Sequence, residues 1–146
     1  MRVTQISVFL ENRPGRLAHL LQVLAEAKVN LRALSLADTA DFGIARIIVA
    51  DTAAAMAAIQ HAGLTAATTQ VLRVEVPDVP GALENAIVIP LAEAGVNIEY
   101  LYAHSERPAN QAEVIMKVDR LEKAEQVLKA LSESKGRAST RSADGA

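Results

Sequence analysis

The chain contains no cysteine and no tryptophan, and only two tyrosines and two phenylalanines among its 146 residues. The missing cysteine excludes disulfides, thiolate metal sites and a cysteine nucleophile. Scarce aromatics remove the stacking surfaces that single-stranded RNA recognition relies on. Charge of one sign is missing too: 15 Lys and Arg against 17 Asp and Glu leave a formal net charge of −2. Such a balance gives no general attraction to nucleic acid or anionic lipid. No apolar run is long enough to span a bilayer. The opening MRVTQISVFLEN alternates as a strand does and lacks the continuous apolar stretch of a signal peptide. The expectation is a soluble cytoplasmic protein with neither nucleic-acid nor membrane partners. Hydrophobic content of 51% with 22% charged residues marks a globular chain.

What is present is a phrase written twice. RPGRL at residues 13–17 returns as VPGAL at 79–83, and LAEAKVN at 24–30 returns as LAEAGVN at 91–97. Pro14 to Asn30 spans 16 positions and Pro80 to Asn97 spans 17, so the copies differ by one inserted residue. Duplication of a small unit suits a binding module better than a single catalytic centre. It divides the chain into residues 1–68, residues 69–133 and a tail from 134 to 146. Each unit is small enough to need packing against another copy or chain.

In the first copy Ile6, Val8 and Leu10 alternate with polar neighbours, predicting a strand. Leu17, Leu20, Leu21 and Leu24 then share one helical face. Residues 31–36 and 44–50 read as further strands around a turn at 38–43. Asp51 or Thr52 can cap an alanine-rich helix that Gly63 ends, and residues 64–68 give a short fourth strand. The order is βαββαβ, so the fold class is α+β: two ferredoxin-like repeats, each an antiparallel four-stranded sheet with helices on one face. On the uncovered face Phe9, Ile47 and Val49 would need a second repeat or chain to shield them.

The second copy repeats this order. Leu72, Val74 and Val76 alternate inward, as do Ala112, Val114, Met116 and Val118. Leu121, Ala124, Leu128 and Leu131 form the stripe of its last helix. Pro90 falls inside a helix, where it lacks an N–H and predicts a kink or one-residue bulge that absorbs the insertion. Beyond Leu131 the alternation is lost, which predicts a weak or missing fourth strand and a disordered tail from about Ser134.

The recurring strand-to-helix junction carries the chemistry. Asn12, Arg13, Pro14, Gly15 and Arg16 form one loop, and Asp78, Val79, Pro80, Gly81 and Ala82 form its counterpart. Proline is pre-set for the first helical position, glycine allows close approach to the backbone, and first-turn amides form a site for a carboxylate. A tight turn alone is the simpler reading of a lone Pro-Gly pair, but here it occurs twice at the same junction. His19, His61 and His104 share no metal-binding pattern, and no nucleophile elbow supports serine chemistry. No catalytic residue, metal or cofactor is expected, and the chain does not read as an enzyme. RNA recognition through a βαββαβ sheet is disfavoured because residues 44–50 and 112–118 lack aromatics.

On these residues (the strand 6–11, the Pro-Gly loops, and both LAEA phrases running into Leu31 and Ile98) the chain resembles the ACT domain, a small-molecule sensing module of amino-acid metabolism. It looks most like stand-alone tandem ACT proteins. The resemblance implies a regulatory protein whose units pair, with a free amino acid bound at the interface between them, and hence a homodimer. Ligand contacts implied by position are the loops 12–16 and 78–82, facing Asn30, Leu31, Asn97 and Ile98. A regulated partner protein would receive the signal. An assembly module without ligand is the alternative.

Overall fold

Alternation in the first copy produces β1 (Arg2–Glu11), in which Ile6, Val8 and Leu10 are buried. The computed structural model describes residues 1–38, 41–106 and 110–143. After β1 come α1 (Arg16–Glu26), β2 (Leu31–Asp38), β3 (Phe42–Val49), α2 (Thr52–His61) and β4 (Thr65–Pro77). A π-helical turn, Glu84–Val88, leads into α3 (Ile89–Glu93), followed by β5 (Ile98–Glu106), β6 (Gln111–Val118) and α4 (Leu121–Ala143). Val3–Gln70 forms one compact unit, and Met1–Arg2 with Val71–Ala146 forms the other. The boundary expected after residue 68 falls inside β4. TAATTQVLRVEVP has no glycine and no proline before its last residue, so nothing interrupts the strand there.

In the first unit the strand order is β2-β3-β1-β4. Ile6 pairs with Ile47 and Leu34 with Ile47, which fixes both neighbours of β3 as antiparallel. Leu20 and Leu24 of α1, with Ala55 and Ile59 of α2, close over Ile6, Val8, Leu10, Ala45, Ile47 and Val49. Asp51 caps α2 by accepting the Ala54 N–H at 3.0 Å. Phe9 pairs with Ile44, so it shares a face with Ile44 and Ile48 rather than with Ile47 and Val49. Ile47 and Val49 are core residues, and Phe9 alone of the three is left 48% exposed.

The second unit packs Ile87, Leu91, Ala124 and Leu128 over Leu72, Val76, Val114, Met116 and Val118. Its strand order is β4-β6-β5, and no strand follows α4 among the described residues. Beside β4 the Arg73 N–H donates to the Met1 carbonyl at 2.7 Å, and Arg2 Nε donates to Glu125 on α4 at 3.0 Å. Helix α4 corrects the expected tail: residues 134–143 are helical, and 144–146 lie outside the described residues. Extending an anchored helix adds one hydrogen bond per residue fixed, so no apolar stripe is needed once it is nucleated. None of the described helices is long and apolar enough to cross a membrane.

The inserted residue sits where the proline suggested. Leu20 and Leu24 lie six and ten positions after Pro14, whereas Ile87 and Leu91 lie seven and eleven after Pro80. The π-helical turn takes up the difference: the Ile89 N–H donates to the Glu84 carbonyl, five residues back. Pro90, with no N–H to place, follows at once.

Both first helices end alike. The Lys28 and Val29 N–H groups donate to Ala25 and Leu24, and those of Gly95 and Val96 donate to Ala92 and Leu91. This is the Schellman arrangement, which needs a left-handed residue. Gly95 supplies it freely at φ 74°, whereas Lys28 adopts φ 56° against its Cβ. Replacing Lys28→Gly is expected to stabilise the fold by about 0.5–1 kcal/mol, part of the relief being offset by unfolded-state entropy. Urea unfolding should show a higher midpoint at unchanged slope; a lower midpoint would contradict this account of the helix end.

Candidate functional site

Each Pro-Gly pair forms the middle of a tight turn. The Arg16 N–H points back to the Arg13 carbonyl at 3.5 Å, and the Ala82 N–H to Val79 at 3.2 Å. Gly15 has φ 88° and ψ −12°, and Gly81 has φ 81°. Proline second and left-handed glycine third is the type II turn. The helical-position expectation for Pro14 is therefore corrected: α1 starts at Arg16 with Gly15 as its N-cap, because a left-handed residue cannot lie within a right-handed helix. His19 and Asn85 N–H groups then donate to Gly15 and Gly81, both at 3.0 Å.

The first turn borders a cavity of about 290 Å³. Its walls are Leu10, Glu11, Asn12, Arg13, Arg16 and Leu17 on one side and Leu36, Ala37, Asp38 and Gly43 on the other. Arg13 Nε lies 2.8 Å from Glu11 Oε2, in an exposed pair that contributes little to stability. The Asn12 N–H donates to the Asp41 carbonyl at 3.1 Å, tying the loop to the start of β3. Arg16 also lines a second concavity with Phe9, His19 and Phe42. Leu36, Ala37 and Asp38 were missed by sequence reasoning. Only the antiparallel register, which pairs Leu36 with Ala45 and Asp38 with Gly43, carries the end of β2 to this loop.

Pro14 and Gly15 are exposed at the turn, and a Cβ built on Gly15 meets nothing within 4 Å. Asn30 and Leu31 stand at the other end of β2. Leu36 lies five positions after Leu31, roughly 17 Å along the strand, so the structure does not bring Asn30 and Leu31 to the loop of their own unit. The Asn30 carbonyl accepts the Ala50 N–H at 3.0 Å, and the Asn97 carbonyl accepts that of Asp119 at 3.1 Å. Asp119 Oδ1 also accepts the Asn97 N–H at 2.9 Å. These asparagines thus join the start of one strand to the end of the next. Leu31 and Ile98 pack against the cores of their units.

The second loop is chemically different. Asp78 replaces Asn12, and Val79 and Ala82 replace Arg13 and Arg16. Asn85 Nδ2 donates to the Gly81 carbonyl at 2.9 Å and lies 3.3 Å from where a Gly81 Cβ would stand.

With this geometry in view, the family model for an ACT domain pair matches residues 1–134. The chain belongs to the ACT domain pair family. ACT domains are regulatory modules, and six strands with four α-helices fit such a pair. This ACT pair is similar to protein BT0572 from Bacteroides thetaiotaomicron, with 39% identity and a TM-score of 0.83 over 89% of this chain and 88% of that one. It shares its fold with the regulatory subunit of aspartate kinase from Thermus thermophilus, solved ligand-free. There the identity is 21% and the TM-score 0.63, covering 89% of this chain and 91% of that one. The corresponding subunit from Thermus flavus gives 22% and 0.65, covering 91% and 94%. No functionally curated protein matches.

Placing alanine in a left-handed corner costs about 1–2 kcal/mol, so Gly15→Ala and Gly81→Ala should both destabilise the ACT pair. Gly81→Ala should cost more, since the Asn85 amide must shift. In an Asn85→Ala background that extra loss should vanish in a double-mutant cycle. Equal losses for the two glycines would refute the tighter packing of the second corner.

Proposed function

We propose that this ACT pair is a regulatory protein that binds a free amino acid at loop 12–16 and transmits occupancy to its own assembly or to a partner protein. The observation that carries the reading is the cavity of about 290 Å³ at the first Pro-Gly turn, with charged and apolar walls. Its size lies at the lower end for ligand pockets, which suits one small molecule. In this reading the ligand carboxylate meets Arg16 and the first-turn amides beyond Gly15. Charge-assisted hydrogen bonds contribute about 1.5–3 kcal/mol each, and ordering offsets part of that. A dissociation constant of roughly 10 µM to 1 mM follows for so small a ligand.

Loop 78–82 is the weaker of two sites in this proposal, since it offers no arginine. Asn30, Leu31, Asn97 and Ile98 lie at strand starts and enter the reading only as contributions from a neighbouring unit. A homodimer would supply such neighbours. Leu34 and Leu36 on the edge strand β2 are 38% and 53% exposed, which favours a second copy at that edge. Regulation then requires that the ligand bind one assembly state more tightly than another. Without a ligand, the same edge would serve an assembly module.

Thermal unfolding across a panel of amino acids tests the reading. One compound should raise the melting temperature, with stabilisation of about 2.7 kcal/mol at a hundredfold excess over its dissociation constant. Gly15→Val should weaken that ligand strongly, because the branched side chain crowds the approach to the turn, and Gly81→Val should weaken it less. Equal calorimetric binding by Gly15→Val, Gly81→Val and the double variant would sink the site assignment. A panel that shifts nothing would leave the assembly module.

A further inference from the structure

We infer that the first-unit cavity selects a neutral aliphatic amino acid, with Asp38 receiving the ammonium, Arg16 the carboxylate and Leu36 the side chain. This rests on the proposed amino-acid binding and adds the class of ligand and the residues that read it. Four charged side chains line the cavity: Glu11, Arg13, Arg16 and Asp38. Glu11 and Arg13 pair with each other at 2.8 Å in an exposed contact. Among the described residues, no ion pair involves Arg16 or Asp38. Outside that pair one cation and one anion face the cavity, which matches a zwitterion.

Apart from Asn12, the remaining wall is apolar. Leu10 is 3% exposed and forms the floor, Leu17 packs at the first turn of α1, and Leu36 stands 53% exposed on β2 with Ala37 and Gly43 beside it. An exposed leucine on a cavity wall gains from covering by an apolar side chain. A charged side chain laid against Leu10, Leu17 and Leu36 would lose part of its hydration. Asp38 and Leu36, two residues apart, lie on the same face of one strand end, adjacent to the loop that supplies Arg16. Recognition thus joins β2 to the β1–α1 turn within a single unit.

Calorimetry on the full chain should compare leucine, valine, glycine, aspartate and lysine, with the 2-oxo acid of leucine as a ligand lacking the ammonium. Leucine or valine should bind tightest, and aspartate, lysine and the oxo acid about tenfold or more weaker. Leu36→Ala should weaken leucine about three- to tenfold while glycine stays within about twofold. Asp38→Asn should erase the preference for leucine over its oxo acid. Both positions are exposed, and unchanged circular dichroism of the variants would establish that they fold. Tightest binding of aspartate or lysine, or equal loss for leucine and glycine in Leu36→Ala, would overturn the inference while leaving amino-acid binding intact. No heat with any amino acid would remove both proposals together.

Discussion

A glycine held at positive φ decides how each copy is built. At Gly15 and Gly81 the chain must leave a strand and start a helix within a few residues, and the left-handed third position of a type II turn makes this possible. Proline beside it fixes the other central torsion, so the corner is stiff on both sides. The helix then lies back over one face of the sheet, where Leu20 and Leu24, or Ile87 and Leu91, reach the strands. Hydrophobic burial supplies most of the driving force, but the corner determines which residues receive it. The same turn sets loop 12–16 against the end of β2, where the cavity lies.

Around that shared frame the copies have diverged in ways that leave the cores equivalent. One extra residue before Ile87 would rotate the helix by about 100° if it remained α-helical. The π-helical turn absorbs it and keeps Ile87 and Leu91 inward. Such turns are stable when the surrounding packing holds them, and here α4 and β6 pack against the same helix region. Chemistry has diverged more than packing. Arg13 and Arg16 give the first corner cations, while the second carries Val79 and Ala82 and a side-chain bond from Asn85 to Gly81. A duplicated scaffold can thus retain both folds while its two corners carry different chemistry.

Local rules made much of the fold legible. Period-two alternation at Ile6, Val8 and Leu10, the cap at Asp51 and the disruption at Pro90 all act over a few residues, and each is visible in the structure. What failed depended on distance or continuity. Ile47 and Val49 were placed on the uncovered face with Phe9 because cross-strand register cannot be read along one strand. Leu36 and Asp38 escaped notice because pairing with β3 is what carries them to the loop. The uninterrupted β4 lacked breakers, α4 runs on through Gly136, and lost alternation after Leu131 does not prevent a helix from continuing. Asn30 and Asn97 were legible as recurring residues, and the backbone carbonyl of each joins the start of one strand to the end of the next.

The central claim is that recognition is concentrated at the first corner and the end of β2. Amide proton–nitrogen correlation spectra recorded during titration with leucine test it most directly. Resonances of Asn12, Arg13, Gly15, Arg16, Leu17, Leu36 and Asp38 should move together and saturate, with those of Asp78, Val79, Gly81 and Ala82 moving less or only at higher concentration. Saturable shifts confined to the second corner, or to neither corner, would contradict the account.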